Sequence, residues 1–502
     1  MAHSQGKRRR LVTDIVRRGR LQNPPFPRRG NLLAALMTAS ALMLAAPGAA
    51  FASNKTTGSA KTSSGAKAAS KSAGSRGAAA HASSGKSRAS AREARGGTGK
   101  SVQAKGKKAA LAETRTASAA KPGRKAAPAA SIQEASSAEA RLISVYEMFG
   151  RGQARPALAK ARDLVRDYPN FQLAQLVYGD LLAAQVPPTN SLPDTAGIAK
   201  MRGNPAMSEL HEESRRRLQA LRERPPAGTV PSQFLSLSTR SRYAIAVDAS
   251  RSRLYLLENS DRGLKLVADY YISVGKSGTD KLTEGDARTP LGVYYITSSL
   301  DPKSLKDFYG AGALPINYPN PYDMRRGRTG GGIWLHGTPP QQFARAPLAS
   351  DGCVVMANPD LKQLLRKVQV GATPVVTARS LQWISPPQAE KEAQTFTSAI
   401  TAWKDTRASG NEAQLKKFYL PDFQRSNKKT TEGISVHDEV EYAQGKRVQF
   451  KDMSYLHWRD GDDTMVATFG EVFEGEKSGR TRRQYWLRQG SEWKLFHEEI
   501  LG

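Results

Sequence analysis

The single cysteine of this chain, Cys353, sits in the run Ser350-Asp351-Gly352-Cys353-Val354-Val355, and an isolated His336-Gly337 stands 17 positions upstream. A thiol is a strong nucleophile only as its thiolate, and a nearby imidazole can generate and stabilise one. The pair therefore predicts covalent acyl transfer, with Cys353 as nucleophile and His336 as general base and acid. Gly352 lets the backbone turn tightly and approach a substrate closely. The N–H groups of Gly352 and Cys353 would then face a developing oxyanion, a contribution of ~3 kcal/mol per donor. Ser350 supplies a hydroxyl to that pocket or to His336, or else simply forms the turn. No Asp or Glu is clearly placed to orient His336.

One cysteine excludes an intramolecular disulfide. No Cys/His cluster has zinc spacing, and no Walker-type or dinucleotide glycine loop appears. Neither metal nor cofactor is expected, because a thiolate needs none for acyl transfer.

The elements that must position the pair are strands. Tyr243 to Asp248 and Arg253 to Glu258 are β-rich runs joined by a short polar turn, and Val267 to Val274 and Gly292 to Thr297 are two more. A mostly antiparallel β domain is thus predicted over 241–380. His336 follows Ile333-Trp334-Leu335, a strand end. Trp334, Tyr318 and Tyr322 are candidate walls of a substrate groove, with core packing as the alternative for each. The Gly- and Pro-rich stretch 310–332 reads as a loop lying over the site.

Three segments of this domain resemble the L,D-transpeptidase (YkuD-type) catalytic family. They are Val247-Asp248 through Leu257; Val274-Gly275-Lys276 with Thr289-Pro290-Leu291-Gly292-Val293-Tyr294; and His336-Gly337 with Ser350 through Asn358. The resemblance implies that Cys353 attacks a peptidoglycan tetrapeptide stem at its third residue, normally a meso-diamino acid, and expels D-alanine. An amine acceptor would give a 3→3 crosslink or attach another group; water would give carboxypeptidase or endopeptidase activity. A third alternative is a non-catalytic peptidoglycan-binding scaffold. The family commonly has His where Asp351 stands and Arg where Val355 stands. An acid beside Cys353 disfavours the thiolate unless it points away or pairs with a cation. Arg345 or Arg325-Arg326 are the loop residues that would restore the missing charge; solvated loop arginines are the plainer reading.

Elsewhere the chain divides clearly. Of the net charge of +31, residues 1–130 supply +23, from 26 Lys and Arg against 3 Asp and Glu. The basicity belongs to a tail, so nucleic acid is not an expected partner. Lys7 to Arg10 and Arg28-Arg29 precede an apolar run, Asn31 to Ala46, and Ala50-Phe51-Ala52 offers a cleavage site. Residues 1–52 are read as a signal peptide, with an uncleaved inner-membrane anchor as the alternative. Both place the chain in the periplasm or cell envelope. Residues 53–135 are almost wholly Ala, Ser, Gly, Lys, Arg and Thr, a composition expected to be disordered.

Residues 136–225 read as a helical module, with an Asp167-Tyr168-Pro169-Asn170 break that weakly resembles a tetratricopeptide repeat. Ser385-Pro386-Pro387-Gln388 reads as a linker. Residues 388–502 resemble the nuclear transport factor 2-like (SnoaL-like) cone fold, on element order and on Trp403, Phe418-Tyr419, Trp458, Tyr485-Trp486 and Trp493. Both flanking modules are candidate docking surfaces for protein partners. His437, His457 and His497 are read as structural or surface residues. The expected fold class is multidomain α+β, with a mostly β catalytic domain.

Overall fold

The computed structural model describes residues 137–185, 204–427, 431–432 and 435–501. The predicted export signal and basic tether lie outside the described residues. Among the described residues no helix is long and apolar enough to cross a membrane.

The helical module comprises α1 (Ala138–Gly150), α2 (Ala154–Asp167), α3 (Gln172–Ala183) and α4 (Pro205–Arg222). Leu142, Val145, Ala161, Leu164, Leu173, Val177 and Leu181 recur at helical spacing, and all are buried in one core. That core does not close on itself. It takes in Tyr271, Phe343, Ala344 and Ala357 of the following domain.

Two short strands follow, β1 (Val230–Pro231) and β2 (Phe234–Ser236). The catalytic domain contributes β3 (Tyr243–Asp248), β4 (Arg253–Ser260), β5 (Gly263–Gly275), β6 (Gly292–Tyr295), β7 (Ala313–Pro315), β8 (Trp334–His336), β9 (Leu348–Ser350), β10 (Val354–Met356) and β11 (Pro374–Ala378), with α5 (Pro321–Arg325) and α6 (Asn358–Leu365). Its strands run in the order β6-β11-β3-β4-β5-β10-β8-β7, with β9 on β5. The expected antiparallel hairpins β3–β4–β5 are present. Three parallel pairs, β11–β3, β10–β8 and β5–β9, were not anticipated.

Every residue of β3 is buried, so its apolar run is continuous rather than alternating. Ile245 and Val247 enter one core with Leu254, Ile272, Leu335, Val354, Met356 and Leu361. Ala244 and Ala246 face a second core that includes Leu456, Trp458, Val466, Tyr485 and Phe496 from the C-terminal sheet.

After β12 (Trp383–Ile384), Ser385-Pro386-Pro387 proves to be a helix start rather than a linker. The Ser385 side chain caps the long helix α7 (Pro386–Ser409), and the prolines occupy its first turn, where no N–H partner is needed. Next come α8 (Glu412–Lys416), β13 (Tyr419–Ser426), β14 (Thr431–Glu432), α9 (Val436–Ala443), β15 (Val448–Asp460), β16 (Asp462–Phe473), β17 (Arg480–Gln489) and β18 (Glu492–Ile500). The sheet order is β14-β13-β18-β17-β16-β15-β2. The expected boundary at residue 388 is therefore too simple, because β2, far upstream, forms the edge of this sheet.

Candidate functional site

β10 and β8 run parallel, with Val354 opposite Leu335 and Val355 opposite His336. Side chains alternate between the faces of a sheet. Leu335, Val354 and Met356 enter the core. Trp334, His336 and Val355 therefore occupy the other face, and Cys353, one position before β10, returns to it. The Cys353 and His336 positions are thus diagonal across the β10–β8 pair, whose strands lie ~4.8 Å apart. Cys353 is half-buried and His336 is buried.

The turn carrying Cys353 is fastened by two hydroxyls. Gly352 has φ +123°, and a Cβ there would sit 2.7 Å from the Arg288 carbonyl oxygen, so only glycine fits. Ser350 Oγ donates to the Cys353 carbonyl at 2.6 Å and accepts the Gly352 N–H at 3.1 Å. Thr289 Oγ1 donates to the Gly352 carbonyl and accepts the Gly275 N–H, both at 2.9 Å. The Gly352 N–H is already engaged, which corrects its expected role as a free oxyanion donor, and of the two readings of Ser350 the turn-forming one holds.

His336 Nδ1 lies 2.7 Å from the Gly337 carbonyl oxygen. A carbonyl only accepts, so Nδ1 carries the proton and Nε2 is left as the basic nitrogen. A backbone carbonyl thus orients the imidazole. Burial pulls the imidazole down to about 4, against the raising effect of the Gly337 bond, and Arg345 lowers it further. Burial pushes the Cys353 thiol up, while the Trp334 amide and the Arg345 charge work the other way. Its Sγ sits 3.5 Å from the Gly332 carbonyl oxygen. The resting pair is accordingly a neutral thiol and a neutral base.

Aromatic rings wall the imidazole. Tyr309 meets it edge-on at 5.1 Å and Phe308 lies at 5.8 Å, while Tyr309 packs on Trp334 at 4.8 Å. The Tyr309 carbonyl accepts the Gly337 N–H at 3.0 Å. Asn358 ties the same loops together: Oδ1 accepts from Ala311 N at 2.8 Å, and Nδ2 donates to the Thr338 carbonyl at 2.8 Å. The Arg345 guanidinium stacks over Phe308 at 4.5 Å.

Of the residues singled out from the sequence, Cys353, His336, Gly352, Ser350, Trp334 and Arg345 are brought together. Asp351 points to solvent and pairs with Lys276 at 2.7 Å. Arg325 and Arg326 go elsewhere: Arg325 pairs with Asp422, and Arg326 stacks on Tyr322. Tyr318 and Tyr322 are core residues, their hydroxyls bonded to the Thr329 carbonyl and Asp462. The 310–332 stretch is no simple lid, since it supplies β7, which pairs with β8. His457 pairs with Asp463, His437 with Glu412, and His497 with Ser426. Phe308, Tyr309 and the bracing role of Thr289 were missed. Thr289 lies in the Thr-Pro-x-Gly signature; the two aromatics carry no periodic signal. Among the described residues no three His, Cys, Asp or Glu side chains form a metal-ligand group.

Comparison with known proteins matches the β domain that carries these residues to one family. Residues 242–377 match the family model of the L,D-transpeptidase catalytic domain, YkuD. That span holds both Cys353 and His336, so this part of the chain is a YkuD domain. Bd1075 of Bdellovibrio bacteriovorus aligns at 23% identity over 54% of this chain and 98% of its own, with a TM-score of 0.46. The helical cell shape determining protein Pgp2 of Campylobacter jejuni aligns at 21% identity over 53% and 95%, with a TM-score of 0.42. An L,D-transpeptidase from Mycobacterium smegmatis aligns at 13% identity over 27% and 58%, with a TM-score of 0.17. No curated protein matches the chain.

Proposed function

We propose that the protein is a peptidoglycan L,D-transpeptidase working in the cell envelope through a Cys353 thioester. The observation that carries this reading is the shared sheet face of Cys353 and a His336 whose Nε2 is left basic. In the first half-reaction Nε2 takes the thiol proton as sulfur bonds to the carbonyl of the third stem residue. The C–N bond to D-alanine then breaks, and the imidazolium returns its proton to the leaving amine. In the second half-reaction an acceptor amine attacks the thioester, the C–S bond breaks and the thiol is restored. Because the imidazole is disfavoured as a cation at rest, it binds the proton only while charge develops on the substrate. The 388–502 region is read as a nuclear transport factor 2-like accessory domain, and residues 1–52 as the export signal or anchor.

Incubation of the protein with disaccharide tetrapeptides, followed by mass spectrometry, tests the reading. Crosslinked dimers are the expected product. Tripeptides alone would make it a hydrolase using the same acyl-enzyme, and unchanged donor in every condition would leave only a scaffold. Cys353→Ala and His336→Ala are each expected to reduce turnover by about 10³-fold or more.

A further inference from the structure

Arg345 is a half-buried guanidinium that makes no ion pair among the described residues. It lies on the Phe308 ring, and that ring lies against His336. Two acids of the surrounding loops pair with other cations, Asp351 with Lys276 and Asp286 with Lys281, both at 2.7 Å. A guanidinium taken partly out of water and left without a carboxylate is a destabilised charge, and its rigid fork matches one planar ligand, a carboxylate. Burial accordingly pushes the Arg345 guanidinium below its ordinary value.

The position of this cation is set from outside the catalytic sheet. Arg345 rides on the loop between β8 and β9, and the helical module grips that loop. The Phe343 N–H donates to the Asn170 carbonyl at 3.1 Å, and Asn170 Nδ2 donates to the Pro340 carbonyl at 2.9 Å. The Phe343 ring stacks on Phe171 at 4.1 Å and meets Tyr168 edge-on at 5.5 Å. Two residues on, the Arg345 carbonyl accepts the Tyr271 hydroxyl at 2.9 Å. Tyr271 in turn lies under Arg217 of α4 at 3.9 Å, and Arg217 is held by Glu139 and Glu213. The Asp167-to-Phe171 break between α2 and α3 is thus the seat of an active-site loop.

We propose that Arg345 receives the terminal carboxylate of the donor's leaving residue, and that the helical module fixes its position through Asn170 and Phe343. The inference rests on the acyl-transfer reading and deepens it. The leaving residue's carboxylate is the anion nearest the scissile bond on the departing side, and a cation beside the nucleophile would select stems that end there. The donor's other carboxylate, on the side chain of the third residue, is the competing source.

The test uses the full chain with three donors: a tetrapeptide with free carboxylates, one amidated at its terminus, and one amidated on the third side chain. Cys353 alkylation by iodoacetamide is followed in parallel. Terminal amidation is expected to lower kcat/KM by about 10- to 100-fold, the scale of one charge-assisted bidentate contact, with side-chain amidation having little effect. Arg345→Gln should lose a similar factor on the free acid and no longer distinguish the two termini, while Cys353 remains open to alkylation at a rate shifted only by loss of the neighbouring charge. Asn170→Ala and Phe343→Ala should narrow the same ratio without slowing alkylation. Discrimination that survives in Arg345→Gln, or that follows the side-chain carboxylate, overturns the assignment of the ligand. A ratio unmoved by both module variants overturns the positioning role. Wild-type protein that alkylates but turns over no donor would instead sink the acyl-transfer reading itself.

Discussion

Two regions of this molecule bury charge, and they do it in opposite ways. In the C-terminal domain Arg407, Arg425 and Arg482 interlock with Glu439, Glu471 and Glu498. Arg482 alone reaches Glu471 at 2.7 Å, Glu498 at 2.8 Å and Glu439 at 2.9 Å, and Arg407 reaches Glu471 at 2.6 Å. Burial alone would push Glu439 up, yet Arg482, Arg407 and Arg425 hold it well below the usual carboxylate range. Three cations meet three anions, with the buried Arg407 Nε left without a hydrogen-bond partner. At the candidate site, by contrast, burial favours the neutral thiol and imidazole, and Arg345 makes no ion pair among the described residues. The first region holds its charges against one another, whereas the second leaves a cation that the proposal above assigns to a substrate carboxylate.

The largest effect that would break this contrast lies in the paired cluster. Arg482→Met removes the one cation shared by Glu439, Glu471 and Glu498 and is expected to destabilise the protein by about 3–5 kcal/mol in denaturant unfolding. Cys353 alkylation in the remaining folded protein should be unchanged. Arg345→Gln, in the open region, should shift stability by less than about 1 kcal/mol. Equal losses would erase the distinction.

Gly352→Ala comes next. Its φ of +123° and its 2.7 Å approach to the Arg288 carbonyl oxygen leave a Cβ nowhere to go. A loss of about 1–3 kcal/mol in thermal unfolding is expected, with turnover falling further than stability because the sulfur itself is displaced.

A further effect concerns pH. Asp360, on α6, is buried beside Glu139 and Asp269, with Arg217 and Arg253 as counter-charges, and burial raises it from 3.8 to about 7. The folded chain therefore holds this proton through a window where the unfolded chain has lost it. Its contribution to stability falls as pH rises from about 4 to 7. Buried His336, lowered from 6.5 to about 4, has the opposite slope: stability is lost as pH falls from 6.5 towards 4. Asp360→Asn should thus melt higher than the parent at pH 8 and nearly equally at pH 4.5. An equal difference at both values would contradict the buried-carboxyl account.

Much of the candidate site was legible in the sequence, because its residues are confined to short motifs. Cys353, Gly352 and His336 each sit where a strand begins, turns or ends, and local composition marks those points. The helices of the N-terminal module were legible from the spacing of Leu142, Val145, Leu164 and Val177. What was hidden depended on distant partners. Nothing near Phe308 says that it will lie against His336, and nothing near Asn170 says that it will hold the loop of Arg345. The β2 edge strand is only three residues long and acquires its meaning from β15, more than 200 positions away. Ser350 was ambiguous because a hydroxyl two residues before a glycine can brace a turn or face a pocket, and only the fold decides.

The central claim is that Cys353 takes the acyl group of a stem peptide with His336 as its base. Intact-protein mass spectrometry of an acid-quenched mixture of protein and tetrapeptide donor tests this most directly. The account predicts an added mass equal to the donor minus D-alanine, mapped to Cys353 and missing from Cys353→Ala. D-alanine released with no such adduct at any quench time, or an adduct that persists in Cys353→Ala, would contradict it.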